Sequence, residues 1–258
     1  TEKRSAGKLK LTADGLQNLT ILAIFVIICI VGYILKPDLF LTTNNMVNIL
    51  VSASSTIITA SAVTMVLITG NLAVSAGGVG AMAGVLFGLF AKAGVPVLTS
   101  AVLAVLAGMI CGCLSGLIIS ALSLPSFIIS LAFKYIASGI ALIGAGGAII
   151  SAGLPGNIGM LGRTISGIPL PVVYAIVIFL IFLFIQNKTV FASQAYAIGS
   201  NITTAKLSGI NTTKVVTIIF MLSGMVAAFT GVVVTSRFTV ADCGILPGFE
   251  SDCIIAAV

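Results

Sequence analysis

Unbroken apolar runs recur from one end of this 258-residue chain to the other. The stretch VVYAIVIFLIFLFIQ at 172–186 contains neither a charge nor a regular alternation of polar and apolar positions. A helix needs about 20 such residues to cross a hydrocarbon core of about 30 Å, whereas the strands of a membrane β-barrel alternate apolar and polar residues. With 59% apolar and 7% charged residues, the sequence predicts an all-α, polytopic transmembrane helical bundle.

The apolar runs predict seven membrane spans and the beginning of an eighth. They assign residues 16–258 to one transmembrane domain, which a basic tail at 1–15 precedes. The spans are expected at 16–35, 46–68, 79–93, 95–122, 127–143, 168–186 and 213–234, and the eighth is expected to start near Cys253.

Positive charge in the tail predicts how the bundle is oriented. The first span follows Lys3, Arg4, Lys8 and Lys10, and flanks rich in Lys and Arg remain in the cytoplasm. We therefore expect a cytoplasmic N-terminus. A nucleic-acid- or lipid-binding patch is the alternative for this cluster, and we expect no nucleic acid partner. The first span is too long for a secretory signal, so we expect it to be retained.

The number of spans then assigns each loop to one side of the membrane. Six crossings return the chain to the cytoplasm after residue 186, where the positive charges are Lys188, Lys206 and Lys214. By the same count, the connections 144–170 and 235–251 are extracytoplasmic. The second of them carries Asp242 and Glu250, so we expect both carboxylates to lie on the extracytoplasmic side.

Two spans are expected to be interrupted. The run VGAMAGVLFGLFAKA at 79–93 covers only about 22 Å as a helix, and TGNLAVSAGG at 69–78 precedes it. A broken or half-length helix follows, since irregular backbone at membrane depth must be buried in protein or line a cavity. Pro125 predicts a second interruption, because it disfavours helix at Leu124 and lacks an amide hydrogen.

Small residues within the spans predict close packing. Two ladders of glycines at four-residue spacing present flat stripes to neighbouring helices: Gly80, Gly84 and Gly88, and Gly108, Gly112 and Gly116. Packing within one subunit is the simpler interpretation, and dimerisation or a substrate path is the alternative. The predicted span 46–68 carries four hydroxyl side chains: Ser54, Thr56, Ser61 and Thr64. They are expected either to bond back to the backbone of their own helix or to line a polar conduit.

The residues needed for several kinds of catalysis are missing. The sequence contains no histidine, no GxxxxGK[ST] phosphate loop, no HExxH and no carboxylate pair suited to acid–base work. We therefore predict no catalytic residue, no metal ligand and no ATP hydrolysis by this chain. The spacing of Cys111 and Cys113 is a weak metal signal, and a disulfide between Cys243 and Cys253 is left open.

A polar segment, YAIGSNITTAKLSGI at 196–210, interrupts the apolar pattern. Asn201 or Thr203 can cap the start of a short helix, and Gly209 can end it. Such a helix is too short to be stable alone, so something else must hold it. Docking into a soluble partner is one interpretation, and a solvated interhelical loop is the other. The side chains expected to face water are Thr203, Thr204, Lys206 and Ser208.

Five stretches, in this order, resemble the permeases of ABC importers of the ribose and simple-sugar type, relatives of the branched-chain amino-acid permeases. They are NNMVNIL at 44–50, VLITGNLAVSAGGVGAMAG at 66–84, LPSFIISLAFKYIASGIAL at 124–142, the polar segment at 196–210 and GFESDCIIAAV at 248–258. The resemblance implies that residues 187–213 form a cytoplasmic coupling loop. Its ATPase-coupling residues would be Asn201, Thr203, Thr204, Ala205, Lys206, Leu207, Ser208 and Gly209.

The resemblance also suggests a translocation path, lined by Asn71, Ala73, Ser75, Ser126, Phe127 and Lys134. Sugar-type members usually carry Asp at the position of Ala73 and Arg at that of Ser138, and both charges are missing here. Lys134 lies within an apolar span, where a charge is expensive unless it is paired, snorkels or faces water. We therefore expect Lys134 to act on the path, with snorkelling or structural pairing as the alternative.

The same resemblance implies the partners and the membrane. They are a cytoplasmic ATPase that holds ATP and Mg, an extracytoplasmic solute-binding protein and a second permease subunit, identical or related, in a bacterial inner membrane. The solute would be a monosaccharide such as ribose, or a nucleoside-like compound, and the eighth span would continue beyond Val258. An ion-coupled secondary transporter and a non-transporting scaffold are the alternatives.

Overall fold

The computed structural model describes residues 13–165 and 167–258, which form eleven α-helices and very little strand. The helices are α1 (Ala13–Leu35), α2 (Pro37–Phe40), α3 (Thr43–Ile68), α4 (Ala76–Lys92), α5 (Val97–Leu122), α6 (Ser126–Ala145), α7 (Leu170–Lys188), α8 (Val190–Ser200), α9 (Ile202–Leu207), α10 (Thr212–Phe238) and α11 (Phe249–Ala257). Between α6 and α7 lie a 3-10 turn (Ile158–Leu161) and an antiparallel hairpin of β1 (Thr164–Ile165) and β2 (Ile168–Pro169).

The polytopic helical bundle predicted from the apolar runs is confirmed. Each predicted span corresponds to one helix, with its boundaries within about four residues, and the eighth corresponds to α11. Within the described part of the chain, five helices are long and apolar enough to cross a membrane, namely α3, α5, α6, α7 and α10. The four basic residues of the tail lie outside the described residues, so their role stays a prediction.

Contacts divide the chain into two compact units, residues 1–49 and 50–258. In the first unit the ring of Phe40, at the end of α2, lies against Gly32 of α1. The second unit contains the two large apolar clusters. One gathers buried side chains from α4, α5 and α10, and the other gathers them from α3, α7, α8 and α10.

Both glycine ladders pack against α10, apart from Gly88, which lies against Ala241. Along α4, a side chain at Gly80 would meet the backbone of Ala227, and one at Gly84 would meet that of Gly231. Along α5, Gly112 lies against the carbonyl of Phe220. The interpretation as packing within one subunit is therefore confirmed: α10 lies between α4 and α5, at distances that only glycine permits.

The hydroxyls of α3 mainly serve its own backbone. Ser54 donates to the carbonyl of Leu50 at 2.6 Å, and Ser61 and Thr64 make the same bond four residues back at 2.7 and 2.8 Å. Their prediction as backbone-bonded residues is confirmed. A different hydroxyl, that of Thr59, is fully buried and shares a hydrogen bond of 2.9 Å with Thr230 of α10.

Both predicted interruptions are present. The chain leaves the helical conformation at 69–75, between α3 and α4, and again at 123–125, between α5 and α6. Ser123 adopts a left-handed conformation with φ of 52°, which ends α5, and Pro125 then begins α6. With 17 residues, α4 spans about 25 Å, less than the hydrocarbon core.

The loops of the second unit gather at two opposite ends. At the α9 end, defined by 69–75, 123–125 and 189–211, Asn71, Ser123 and Ile202 line one cavity. At the hairpin end, defined by 93–96, 146–169 and 239–248, Ile150 exchanges backbone hydrogen bonds with Ala241. The predicted connections 144–170 and 235–251 therefore start at the same end. The side of the membrane that each end faces stays a prediction.

Three features differ from the sequence-based expectations or go beyond them. The loop at 187–213 contains an additional helix, α8, whose first turn is capped by Thr189 accepting from the amide of Ala192 at 3.3 Å. The possible disulfide does not form, since Cys243 and Cys253 are both free. Glu250, expected in an extracytoplasmic connection, is instead 5% exposed in the first turn of α11, and the side of the membrane on which it lies stays a prediction.

Replacing Gly112 with alanine should destabilise the bundle. A Cβ there would overlap the carbonyl of Phe220, and its nearest alternative space is taken by Gly224. We expect Gly112→Ala to lower the free energy of unfolding by about 1–3 kcal/mol, measured by thermal unfolding in detergent.

The matched control is Gly139→Ala in α6, where no atom of the described residues lies within 4 Å of the new Cβ. Stability should stay unchanged or rise by up to about 1 kcal/mol, because alanine favours helix. Equal losses in both variants would contradict the packing role of the ladder.

Candidate functional site

The polar segment at 196–210 forms the capped helix that its sequence predicts. The side-chain oxygen of Asn201 accepts from the amides of Thr203 at 2.9 Å and Thr204 at 3.0 Å. Gly209 follows the helix with φ of +82°, a left-handed conformation that glycine adopts without strain. Of the two candidate caps, Asn201 is therefore the one that is used.

Only one side of α9 packs against the protein. Ala205 is buried, whereas Thr203, Thr204, Lys206 and Ser208 are exposed. Leu207 is 86% exposed, although it is a large apolar side chain. The face that α9 turns away from the bundle is thus polar apart from Ile202 and Leu207.

The helices α8 and α9 are joined to the break that precedes α4. Gly199 of α8 lies so close to Ile68, the last residue of α3, that any side chain at Gly199 would overlap the Ile68 carbonyl. Asn71 and Ile202 line a cavity of about 170 Å³ at the same end. A displacement of α8 and of the adjoining α9 would therefore reach the end of α3 through the contact of Gly199 with Ile68.

The segment 69–75 is in turn held by α6. The amide of Leu72 donates to Ser126 Oγ at 3.0 Å, and Ser130 Oγ donates to the carbonyl of Leu72 at 3.1 Å. Asn71 bonds locally, donating to Thr69 Oγ1 at 2.9 Å. These bonds satisfy backbone groups that lipid could not satisfy. Ser126, predicted on the path, thus fixes the interruption in this structure.

The other predicted path residues lie in different surroundings. Ala73 is 1% exposed and belongs to an apolar cluster with Ile58 and Ile198. Ser75 precedes α4 but makes no capping hydrogen bond with its side chain. Phe127 is 49% exposed at the start of α6. The structure therefore places Asn71 within the segment 69–75 and bonds Ser126 to that segment, but it does not gather all six residues at one site. Their roles on a path stay predictions.

Lys134 pairs with the carboxylate that the sequence reading assigned to the aqueous phase. Its Nζ lies 2.5 Å from Glu250 Oε1, and the two side chains are 25% and 6% exposed. Glu250 comes close to Lys134 because the segment after Ala241 turns back into the bundle, where Leu246 packs against Gly80. The structure thus shows the alternative of pairing for Lys134, with Glu250 as the partner, and the expected role of Lys134 on the path stays a prediction.

Sequence reasoning missed Glu250 because it treated 235–251 as a connection. The signal that could have revealed it was present, since Glu250 lies two residues into GFESDCIIAAV, a stretch that resembles the family and precedes an apolar run. In the structure it occupies the first turn of α11, where the helix dipole favours a negative charge.

Metal binding has no support among the residues described. Across 13–165 and 167–258, no three His, Cys, Asp or Glu side chains are close enough to hold an ion together. Cys111 and Cys113 lie on α5 as free thiols.

Comparison with known proteins agrees with this architecture. Residues 45–258 match the model of a family described as the permease component of branched-chain amino acid transport systems. The chain belongs to this family. No solved structure gives a significant match to it.

Permeases of known sugar systems are among the relatives of this family member. It is 32% identical to the ribose import permease protein RbsC of Bacillus subtilis (strain 168), across 100% of this chain and 81% of that protein. It is 31% identical to the probable ABC transporter permease protein YphD of Escherichia coli (strain K12), across 94% and 73%. It is 29% identical to the D-allose transport system permease protein AlsC of the same strain, across 93% and 73%.

Removing the cap should loosen α9 selectively. Asn201→Ala deletes two hydrogen bonds from a helix of six residues, at a cost of about 1 kcal/mol. We expect the amides of Thr203 and Thr204 to exchange with deuterium about fivefold faster, as measured by hydrogen exchange in nanodiscs.

The matched control is Asn211→Ala, which removes the equivalent cap from Lys214 at the start of α10. Because α10 has 27 residues and a large packed surface, exchange within α9 should not change in this variant. An unchanged α9 in Asn201→Ala would mean that packing, rather than the cap, holds the helix.

Proposed function

We propose that this chain is the membrane-spanning permease subunit of an ATP-driven importer, and that it moves a monosaccharide across the membrane by alternating access. The relatives named as ribose and D-allose permeases support a sugar as the solute. The family supports a permease and not an enzyme. Hydrolysis of ATP then takes place on another subunit, which would hold ATP and Mg.

The observation that carries this proposal is the continuous contact from α9 into the bundle. A water-facing helix with an exposed Leu207 is joined through Gly199 to the end of α3 and the segment 69–75. Ser126 and Ser130 then join that segment to α6. A force applied to α9 thereby reaches the two interrupted helices, which are the elements whose rearrangement can open a path.

The proposed partners follow from the same arrangement. A cytoplasmic ATPase would receive α9, and a solute-binding protein would dock at the hairpin end on the outside. A second permease subunit, identical or related, would complete the pore. This assignment puts the N-terminus in the cytoplasm of a bacterial cell and the chain in its inner membrane, as the positive charge near α9 supports.

The translocation path would run from the segment 69–75 along the start of α6 to Lys134. Asn71, Ser75 and Ser126 are its polar positions at the α9 end, and Ala73 and Phe127 supply apolar surface. Since Ala73 is buried in the present state, this part of the path opens only when the segment 69–75 moves. Under this proposal, the path is closed near Ala73 in the present state.

An ion-coupled secondary transporter is the second candidate, and Glu250 favours it. Such transporters bind a coupling ion at broken helices near the middle of the membrane, and Glu250 is a buried carboxylate next to one of them. The two candidates differ in their energy source. For the importer, we expect uptake of D-ribose into vesicles to persist when an ionophore collapses the ion gradients at constant ATP, whereas collapse of uptake would favour the second candidate.

A photocrosslinking amino acid at Leu207 should capture the ATPase. The position is 86% exposed at the tip of α9, so a crosslinker there lies at the proposed contact. We expect a covalent product with a protein that carries a GxxxxGK[ST] phosphate loop, identified by mass spectrometry.

The same crosslinker at Ile149 is the matched control, because this apolar residue is 60% exposed at the hairpin end. It should give no product with the ATPase. If only the Ile149 variant captured an ATPase, the proposed orientation of the bundle would be reversed. If neither did so in the assembled complex, an ATP-driven mechanism would lose its support.

A further inference from the structure

A polar cavity of about 160 Å³ lies inside the bundle at the level where α4 begins. It is formed by three elements: the first turn of α4, the middle of α6 and the segment that leads into α11. The residues that line it include three polar side chains and three glycines: Lys134, Ser138 and Glu250, and Gly77, Gly78 and Gly244. The cavity is smaller than the 300–1,000 Å³ typical for drug-sized ligands, so it suits one small solute.

Glu250 is incompletely satisfied at this cavity. Its Oε1 accepts from Lys134, but its Oε2 is buried without a hydrogen-bond partner and lies against Gly77. A buried carboxylate oxygen without a donor is costly, and native structures retain such groups where a ligand or water completes them. Rotation about the last torsion of a glutamate is easy, so either oxygen can turn toward the cavity.

Donors face the same space. Lys134 has three N–H groups on Nζ, of which Glu250 uses one in this structure. The first amides of α4 have no acceptor within their own helix, and the preceding Ser75 does not cap them with its side chain. Because Gly77 and Gly78 have no side chains, Glu250 Oε2 and the backbone of Lys134 approach the first turn of α4 directly. One acceptor and several donors therefore surround a single cavity.

The charge balance decides which solute fits. Lys134 and Glu250 together are neutral, so an anion would face the carboxylate and a cation would face the ammonium group. A hydroxyl group both donates and accepts. Two neighbouring hydroxyls can satisfy Glu250 and Lys134 at once, without separating a pair whose charges are expensive to leave alone at this depth.

We propose that Lys134 and Glu250 form a hydroxyl-binding subsite on the translocation path for a neutral polyhydroxylated solute. Glu250 accepts from one hydroxyl, and Lys134 donates to its neighbour. The subsite rests on the proposed function, since it assigns a solute contact to a permease that carries monosaccharides.

The test compares D-ribose with its 2-deoxy, 3-deoxy and 5-deoxy analogues in the assembled transporter, reconstituted in vesicles. Each solute is supplied on the saturated binding protein, so that the preference of that protein does not enter the measured maximal uptake rate. We expect the original chain to carry D-ribose about 10-fold or more faster than one of the deoxy analogues. In Glu250→Gln the ratio of the D-ribose rate to the rate of that analogue should fall toward one. The corresponding ratios for the other two analogues should not change.

Asp252→Asn is the matched control, because Asp252 also lies in the first turn of α11 but is exposed. It should retain every preference. A second variant, Ser138→Leu, fills the cavity without altering either charge. It should lower D-ribose uptake more than 10-fold while the thermal unfolding temperature is retained, which keeps the proposal testable if Glu250→Gln folds poorly.

The outcomes separate the two proposals. If the original chain gives no ATP-dependent uptake of D-ribose, the proposed sugar transport is wrong and the subsite is wrong with it. If uptake occurs but Glu250→Gln slows all solutes equally, the ion pair is only structural. Full uptake by folded Ser138→Leu would likewise overturn the subsite and leave the proposed function intact.

Discussion

The close approach of α10 to α4 and α5 is the constraint on which the remaining structure depends. Lipid supplies no hydrophobic force between helices, so association depends on van der Waals contact and hydrogen bonds between backbones that come near. Gly80 and Gly231 provide such contact on one side of α10, and Gly112 and Gly224 on the other. With α10 fixed in this way, short α4 can remain buried even though it does not span the hydrocarbon core.

A half-length helix leaves backbone N–H and C=O groups without partners, and other parts of the bundle cover and bond them. The backbone at 69–75 cannot face lipid, and it is covered by α6 through Ser126 and Ser130. The same break places the amides of the first turn of α4 within the protein, next to Lys134 and Glu250. Packing on α10 therefore holds α4, polar contacts on α6 hold the segment 69–75, and α8 contacts the start of that segment through Gly199.

Features that depend on a few neighbouring residues could be predicted from the sequence, and those that depend on contacts between residues far apart in the chain could not. The break at Pro125, the cap at Asn201 and the glycine ladders each need only a few neighbouring residues, so their patterns were sufficient. The pairing of Lys134 joins residues 116 positions apart, and no local pattern specifies it. Helix α8 was missed for a related reason, since its 11 residues are stabilised by packing rather than by length: Ala192, Ala195 and Ile198 are buried in an apolar cluster with residues of α7 and α10.

The position of Lys134 on α6 bears on the two departures from the sugar-type permeases that the motifs of this chain resemble. That resemblance implies Arg at the position of Ser138 and Asp at that of Ala73, so the two departures would remove one charge of each sign. Lys134 precedes Ser138 by four residues, or about 6 Å along α6, and both line the same cavity. A cation is thus retained on that face of α6, one turn closer to the α9 end, and Glu250 keeps the cavity neutral. A carboxylate at buried position 73 would lie in an apolar cluster, where alanine carries no cost of desolvation.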